Sequence, residues 1–458
     1  MSETGLTQAV RKMRDAGVAE QAIDVFSHYY RELEEGATGL IPEETIEPLT
    51  SIDSIDDVEI SESDAREALR RTAIIKLNGG LGTSMGLDQA KSLLPVREGK
   101  TFLDLIVDQV RAARQRYGAT LPLILMNSFR TRQDSLAALE AHPDIRVEGL
   151  PLDFLQNREP KLRADDLTPV TWEADPDLEW CPPGHGDIYT ALVASGVLDA
   201  LLDKGYRYAM TSNSDNLGAA PSARIAGWFA ASGAPYAPEM CRRTPADVKG
   251  GHLAVRKSDG RIILRDTAQT PADQMHYFTD QFRHPFFHTN NLWFDLEVLR
   301  DTLAERRGIL GLPLIKNSKT VDPSDPASPA VIQLETAMGA AVEAFEGATA
   351  VEVPRSRFLP VKTTNDLLLL RSDVYEVDED GLLVQTVEEA CTVSLDPAHY
   401  KTIRDFEKRF PVGAPSLRGA RSLSVTGDWT FGASVVATGE ACVSAQGAPG
   451  RIDDGARI

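Results

Sequence analysis

The chain has 458 residues, with 48 Lys and Arg against 68 Asp and Glu, a formal charge of −20. Its 42% hydrophobic and 25% charged residues are the make-up of folded protein, and its length suits two or three domains. The negative balance weighs against nucleic acid or an anionic membrane as partner, and no apolar run reaches the ~18 residues of a membrane span.

Met1-Ser2-Glu3-Thr4 carries no basic, apolar leader, and Cys181, Cys241, Cys391 and Cys442 are too scattered for a metal pair or a disulfide framework. A cytoplasmic protein is expected. Apolar side chains at helical spacing (Val10, Met13, Ile23, Phe26, Tyr30, Leu33) predict one or two helices over residues 6–35. From Arg31 to Leu69 thirteen acids face two arginines, so over half of the net charge sits in one stretch. Within it, residues 36–63 are turn-rich and read as an extended connector wrapped on the surface. Organised α/β structure begins with a short apolar strand, Thr72 to Asn78, that runs into glycines. A helix over 101–117 follows, capped by Thr101, then a strand over 121–126, a helix over 130–141 and a third apolar stretch at 146–152. The alternation predicts a doubly wound, mainly parallel sheet. It recurs at Tyr206 to Thr211, which leads into Ser212-Asn213-Ser214-Asp215-Asn216. Residues 251–267 read as a hairpin around Ser258-Asp259-Gly260, making the sheet mixed. Between Ser422 and Ala445 short strands and Gly-containing turns suggest a small β-solenoid or sandwich.

Gly79-Gly80-Leu81-Gly82-Thr83-Ser84-Met85-Gly86 directly follows the first strand, where glycines let backbone N–H groups close around an anion. It is not a P-loop, because Leu87-Asp88 follows Gly86. Nor is it a dinucleotide fingerprint, because Met85 holds the third glycine's place. The remaining fit is G-x-G-T-x-x-G followed by a lysine, here Lys91-Ser92-Leu93-Leu94-Pro95.

Together with this loop, four further blocks follow in order. They are Pro182-Pro183-Gly184-His185-Gly186-Asp187, Asn213-Ser214-Asp215-Asn216-Leu217-Gly218, Thr289-Asn290-Asn291-Leu292-Trp293, and Val353 through Thr364. In this the chain resembles the eukaryotic-type UTP–glucose-1-phosphate uridylyltransferases over roughly residues 70–370. It departs from their pattern at Leu87-Asp88-Gln89-Ala90, at His288 (usually Asn) and at Asp266 (usually Glu), which bears on sugar selectivity. The resemblance implies a Rossmann-like mixed-sheet nucleotidyltransferase domain over 71–370, after a helical and acidic region over 1–70. It also implies a C-terminal domain over 371–458 with a short left-handed β-helix.

The implied reaction joins UTP and α-D-glucose 1-phosphate, by attack of a sugar-phosphate oxygen on the α-phosphorus, releasing pyrophosphate. Both partners are anionic, so the protein must supply cations, a metal and positioning rather than a covalent nucleophile. Lys91, just past the glycine loop, and Lys362, closing the basic run Arg355-x-Arg357, match the family's catalytic lysines. Asp215, at the end of a buried strand, is the candidate Mg²⁺ ligand. Leu77, Asn78, Gly79, Gly80, Gln156 (reading uracil through its amide) and Gly184 join Lys91, Asp215 and Lys362 around the nucleotide. Gly79, Gly80, His185, Asn213, Ser214, Asp215, Asn290 and Glu335 face the sugar phosphate, His185 as a hydrogen-bond donor; Asn291 and Thr336 are further sugar candidates. Arg355 and Arg357 read as braces against carboxylates. Galactose or N-acetylglucosamine 1-phosphate as the sugar, and a non-catalytic nucleotide-binding subunit, stand as rival readings; the protein is a monomer or a homo-oligomer.

Overall fold

Eight strands build the central sheet: β1 (Asp53–Ser54), β2 (Thr72–Asn78), β3 (Leu123–Asn127), β4 (Asp153–Leu155), β5 (Tyr208–Asn213), β6 (Tyr236–Arg242), β7 (Phe286–Asp295) and β8 (Val351–Glu352). Their spatial order is β1-β8-β6-β7-β5-β2-β3-β4. β7 is antiparallel to both neighbours and every other adjacent pair is parallel. The computed structural model describes residues 2–244, 247, 250–444 and 449–458. Strands covered on both faces must be apolar on both faces. β2 obeys this: Ala73 and Ile75 enter one core with Ile124, Met126 and Phe154, while Ile74 enters the other with Leu123 and Leu125.

The helix Phe102–Tyr117 lies against the second core. The Thr101 hydroxyl accepts from Asp104 N–H, the Asp104 carboxylate accepts from Thr101 N–H, and Gly118 ends the helix in the left-handed region. The N-terminal helices Ser2–Asp15 and Glu20–Glu34 bury Ala9, Met13, Ile23 and Phe26 against Leu162, Ile332 and Leu334. Toward the C-terminus, Thr392–Leu395, Ser416–Thr426 and Val436–Ser444 form a parallel ladder, and Trp429–Phe431 pairs in parallel with Gly450–Ile452. Their inward residues, Leu423, Val425, Phe431 and Ile452, belong to the same apolar core as the helix Phe102–Tyr117.

Two expectations need correction. The third apolar stretch, 146–152, forms no strand; the strand follows it, at Asp153–Leu155. Arg146, Glu148, Gly149 (φ 78°) and Pro151 keep the preceding stretch in a loop, and pairing to β3 starts at Asp153. The acidic segment is no mere surface connector. Ile46–Pro48 pairs with the hairpin strand His252–Arg256, and Asp53–Ser54 forms the sheet edge. Glu43 is buried because Arg265, Arg283 and His284 all reach its carboxylate.

Candidate active site

At the carboxyl ends of β2 and β5 lies a cavity of about 310 Å³. This is the edge where open α/β sheets bind ligands. β2 and the glycine loop contribute Leu77, Gly79 and Gly80; the turn after the loop contributes Lys91; the end of β5 contributes Asn213, Ser214 and Asp215. Gln156, Gly184 and His185 complete its expected lining, with Met126 and Pro182 beside them. Backbone bonds fix this arrangement: Lys91 N–H donates to Gly80 O (3.1 Å), Ser214 N–H to Leu77 O (3.1 Å) and Gln156 N–H to Asn127 O (2.8 Å).

Two glycines are required by close approach. A Cβ on Gly79 would stand 2.6 Å from Gln156 Oε1, so the missing side chain lets the amide lie on the loop. Gly184 has φ 78°, and a Cβ there would meet Thr336 O at 2.5 Å.

Lys91 Nζ and Asp215 Oδ2 pair at 2.6 Å, with the side chains 17% and 19% exposed. Asp215 Oδ1 is buried and has no hydrogen-bond partner. Asp215 is the single carboxylate lining the cavity, and no group of three or more acidic, His or Cys residues gathers as a metal site among the described residues. That donor set fits Mg²⁺, a hard cation that takes one or two carboxylates and completes its shell with phosphate oxygens and water.

His185 Nδ1 accepts from Met338 N–H at 2.9 Å. A backbone donor at Nδ1 leaves the proton on Nε2, so the ring has one N–H to offer. Burial holds its pKa below the ordinary histidine value. His288 is fixed in the same way by Asn290 N–H on Nδ1 (3.0 Å), and burial, with His185 nearby, pushes its pKa down to about 3. Asn290, in the left-handed region at φ 65°, donates through Nδ2 to Asn213 Oδ1 at 3.1 Å.

Not every expected residue lines the cavity. Asn78 is buried, its amide donating to Asn127 Oδ1 and Ser135 Oγ. Glu335 lies 3.7 Å from Lys319 and lines a separate, small cavity beside Asn157 and Asp187. Lys362 is exposed; its backbone N–H is held by Asp366, while Val361 N–H reaches Asp215 O at 3.3 Å. Asn291 works inside the protein: its amide donates to Glu239 Oε2 and Arg357 O and its oxygen accepts from Asn216. The braces are as expected, Arg357 on the fully buried Glu239 (2.7 Å) and Arg355 on Asp247 (2.6 Å).

Sequence reasoning missed Met126 and the pair Asn157–Asp187. Asn157 donates to both Asp187 oxygens, from N at 2.6 Å and from Nδ2 at 2.8 Å, tying the Gln156 loop to the His185 turn. Burial pushes the Asp187 carboxyl up to about 7. Their one signal in the sequence is proximity, Asn157 next to Gln156 and Asp187 two residues after His185; Met126 looks like any strand residue.

A glycine loop leaving a parallel strand, opposite a lysine–aspartate pair at a neighbouring strand end, in a mixed, mainly parallel sheet, is consistent with an α/β nucleotidyltransferase. The comparisons narrow the class. The family model described as UTP–glucose-1-phosphate uridylyltransferase matches residues 23–437. The enzyme of that name from Solanum tuberosum is 38% identical over 90% of this chain and 85% of its own, and that from Hordeum vulgare 36% over 99% and 94%. A UDP-glucose pyrophosphorylase variant from Leishmania major, solved in complex with UDP-glucose, superposes with a TM-score of 0.92 at 44% identity, covering 99% of this chain and 98% of its own. The Trypanosoma brucei structure gives 0.91 at 43%, with the same coverage. The chain belongs to the UTP–glucose-1-phosphate uridylyltransferase family.

Proposed function

We propose that this protein is an enzyme that makes UDP-glucose and pyrophosphate from UTP and α-D-glucose 1-phosphate, reversibly. The observation that carries the reading is the cavity itself: glycine loop, Lys91–Asp215 pair, Gln156 and His185 share one lining. A relative solved with UDP-glucose covers nearly the whole chain.

In this mechanism the phosphate ester of the sugar is the nucleophile, already ionised, and no protein base is needed. The backbone N–H groups of Gly79 and Gly80 and the Lys91 ammonium receive the triphosphate. Lys91 then exchanges Asp215 for a phosphate oxygen, which places its charge where negative charge develops. Asp215, with its unpartnered Oδ1, would hold Mg²⁺; when bound, the ion supplies charge neutralisation at the triphosphate. His185 Nε2–H donates to the sugar phosphate, and Asn213, Ser214 and Asn290 serve the sugar side, with Glu335 behind Gly184. Gln156 pairs with uracil's N–H and C=O, beside Gly184 and the ends of Leu77 and Asn78. Lys362 reaches the phosphates from outside the cavity as the second catalytic cation.

Residues 71–370 form the catalytic domain in this reading, with 1–70 bound onto it and 371–458 as a C-terminal domain. The parallel ladders of that last part agree with a short β-helix, whose left hand is what the family resemblance implies. Four unpaired cysteines, three of them buried, agree with a reducing, cytoplasmic setting. No helix among the described residues is long and apolar enough to cross a membrane.

The test is pyrophosphate release with each of the four common nucleoside triphosphates against glucose, galactose and N-acetylglucosamine 1-phosphates. UTP with glucose 1-phosphate should give the highest kcat/KM. A preference for another sugar phosphate would move the assignment within the same chemistry, and nucleotide binding without pyrophosphate release would overturn it.

A further inference from the structure

Lys76 stands in β2 between Ile75 and Leu77, on a strand whose other polar residues, Thr72 and Asn78, are at its two ends, and it is 1% exposed. A charged group in such a place is costly unless its hydrogen bonds are met. Its Nζ donates to Ser212 Oγ at 2.8 Å and to Ala219 O at 2.7 Å. Ser212 is its register partner on β5 and immediately precedes Asn213, Ser214 and Asp215. Ala219 lies just beyond Gly218, where the loop leaving β5 returns to the core. The ammonium therefore spans both ends of the segment 213–218.

We propose that Lys76 is a positioning residue for the reaction: by tying Ser212 to Ala219 it holds Asn213, Ser214 and Asp215 at the cavity. The proposal rests on the functional reading of Asp215 given above.

The surroundings fit this role. Arg357 Nη1 donates to the next carbonyl, Ala220 O, at 2.6 Å, so two cations hold consecutive carbonyls. Arg357 is in turn fixed by both oxygens of Glu239, which also accept from Trp293 Nε1 and Asn291 Nδ2. In the middle of the segment, Asn216 donates to Asn291 Oδ1 and Arg357 O and accepts from Leu359 N–H. Gln109 Nε2 on Leu217 O (3.0 Å) and Val361 N–H on Asp215 O (3.3 Å) also hold the segment, but among the described residues Lys76 alone bonds both Ser212 Oγ and Ala219 O, the two ends of the span. Burial, with Arg357 nearby, pushes the Lys76 pKa down to about 7.

Lys76→Met keeps most of the volume and removes the donors, Lys76→Gln restores an N–H donor group, and Ser212→Ala removes one acceptor. Pyrophosphate release from UTP and glucose 1-phosphate should show kcat down by up to about 10²-fold in Lys76→Met, the size expected when a reacting group is misplaced. KM for either substrate should change far less. Lys76→Gln should recover part of the loss. Ser212→Ala should show a several-fold loss of kcat (roughly 3- to 10-fold, the size of one hydrogen bond), and the double variant Lys76→Met/Ser212→Ala should be no slower than Lys76→Met. A folded Lys76→Met with kcat near wild type, or losses that multiply in the double variant, would overturn the proposal. If Lys76→Met does not fold, Ser212→Ala decides alone, and wild-type kcat there overturns it. Asp215→Asn in the same assay separates the two readings. If it is inactive while the Lys76 and Ser212 variants turn over normally, positioning by Lys76 falls and the site stands. If it is fully active, both fall.

Discussion

Two lysines meet the segment that carries Asp215, one from the cavity and one from the core. Lys91 makes one ion pair, with Asp215, and both partners keep about a fifth of their surface open. Lys76 is sealed in, bonded to Ser212 and Ala219, beside an Arg357–Glu239 pair that is itself fully buried on the carboxylate side. The contrast teaches how to tell a working cation from a holding one. A cation at the rim of a cavity can trade its carboxylate partner for a phosphate oxygen, because one anionic acceptor replaces another. A buried, multiply bonded group gains nothing by moving and loses a great deal if left unpaired.

Breaking the buried side should have the largest effect. Arg357→Met leaves Glu239 charged and unpaired, since Trp293 and Asn291 cannot neutralise it, and should lower stability by about 3–5 kcal/mol in urea unfolding. Breaking the open side should spare the fold and stop the chemistry. Lys91→Met should lower kcat on the order of 10²–10³-fold, the scale of losing one charged group aimed at the transition state, with a smaller loss of stability than Arg357→Met, because Asp215 keeps an opening to the cavity. Lys362→Ala sharpens the comparison: an exposed lysine outside the cavity should still lower kcat by about 10²-fold if it completes the phosphate clamp, and a rate near wild type removes it from the mechanism.

His185 offers a smaller and pH-dependent effect. Protonation at Nδ1 would displace Met338 N–H, and burial holds the pKa below the ordinary histidine value, so the ring takes a proton at lower pH than an exposed histidine. The unfolded chain accepts that proton first as pH falls, so His185 contributes a loss of stability toward acid that His185→Gln should remove. The same variant should raise the glucose 1-phosphate KM roughly tenfold at pH 7.5, the cost of about one hydrogen bond to a charged group. An acid limb of kcat/KM that survives in His185→Gln reports the phosphate ester instead. Gln156→Ala acts on the other substrate: it loses two neutral hydrogen bonds of about 1 kcal/mol each and should raise the UTP KM roughly 10- to 30-fold with the sugar-phosphate KM unaltered.

Much of the fold and of the cavity is legible in the order of residues alone. β2, β3 and β5 are apolar runs that end in Gly or polar clusters, and their carboxyl ends hold most of the cavity lining. The Thr101 cap and the hairpin around Gly260 follow from local rules. What escapes such a reading depends on contacts between distant segments. Nothing in the sequence says that Glu43 will find Arg265, or that Asn157 will reach Asp187. The same holds for Lys76, which in sequence is only a polar interruption of an apolar strand, and for Asn291, which sits in a motif yet turns inward to Glu239. Charge is the least informative guide: −20 overall coexists with a cavity whose single acid is paired with a lysine.

The central claim is that this cavity joins UTP to glucose 1-phosphate with Asp215 at its working edge. Pyrophosphate release from those two substrates and Mg²⁺, measured side by side for wild type and Asp215→Asn, tests it most directly. The account predicts steady turnover in the wild type and a loss of at least about 10²-fold in the variant, with both proteins equally folded by circular dichroism. No turnover in the wild type, or a variant as fast as the wild type, would contradict it.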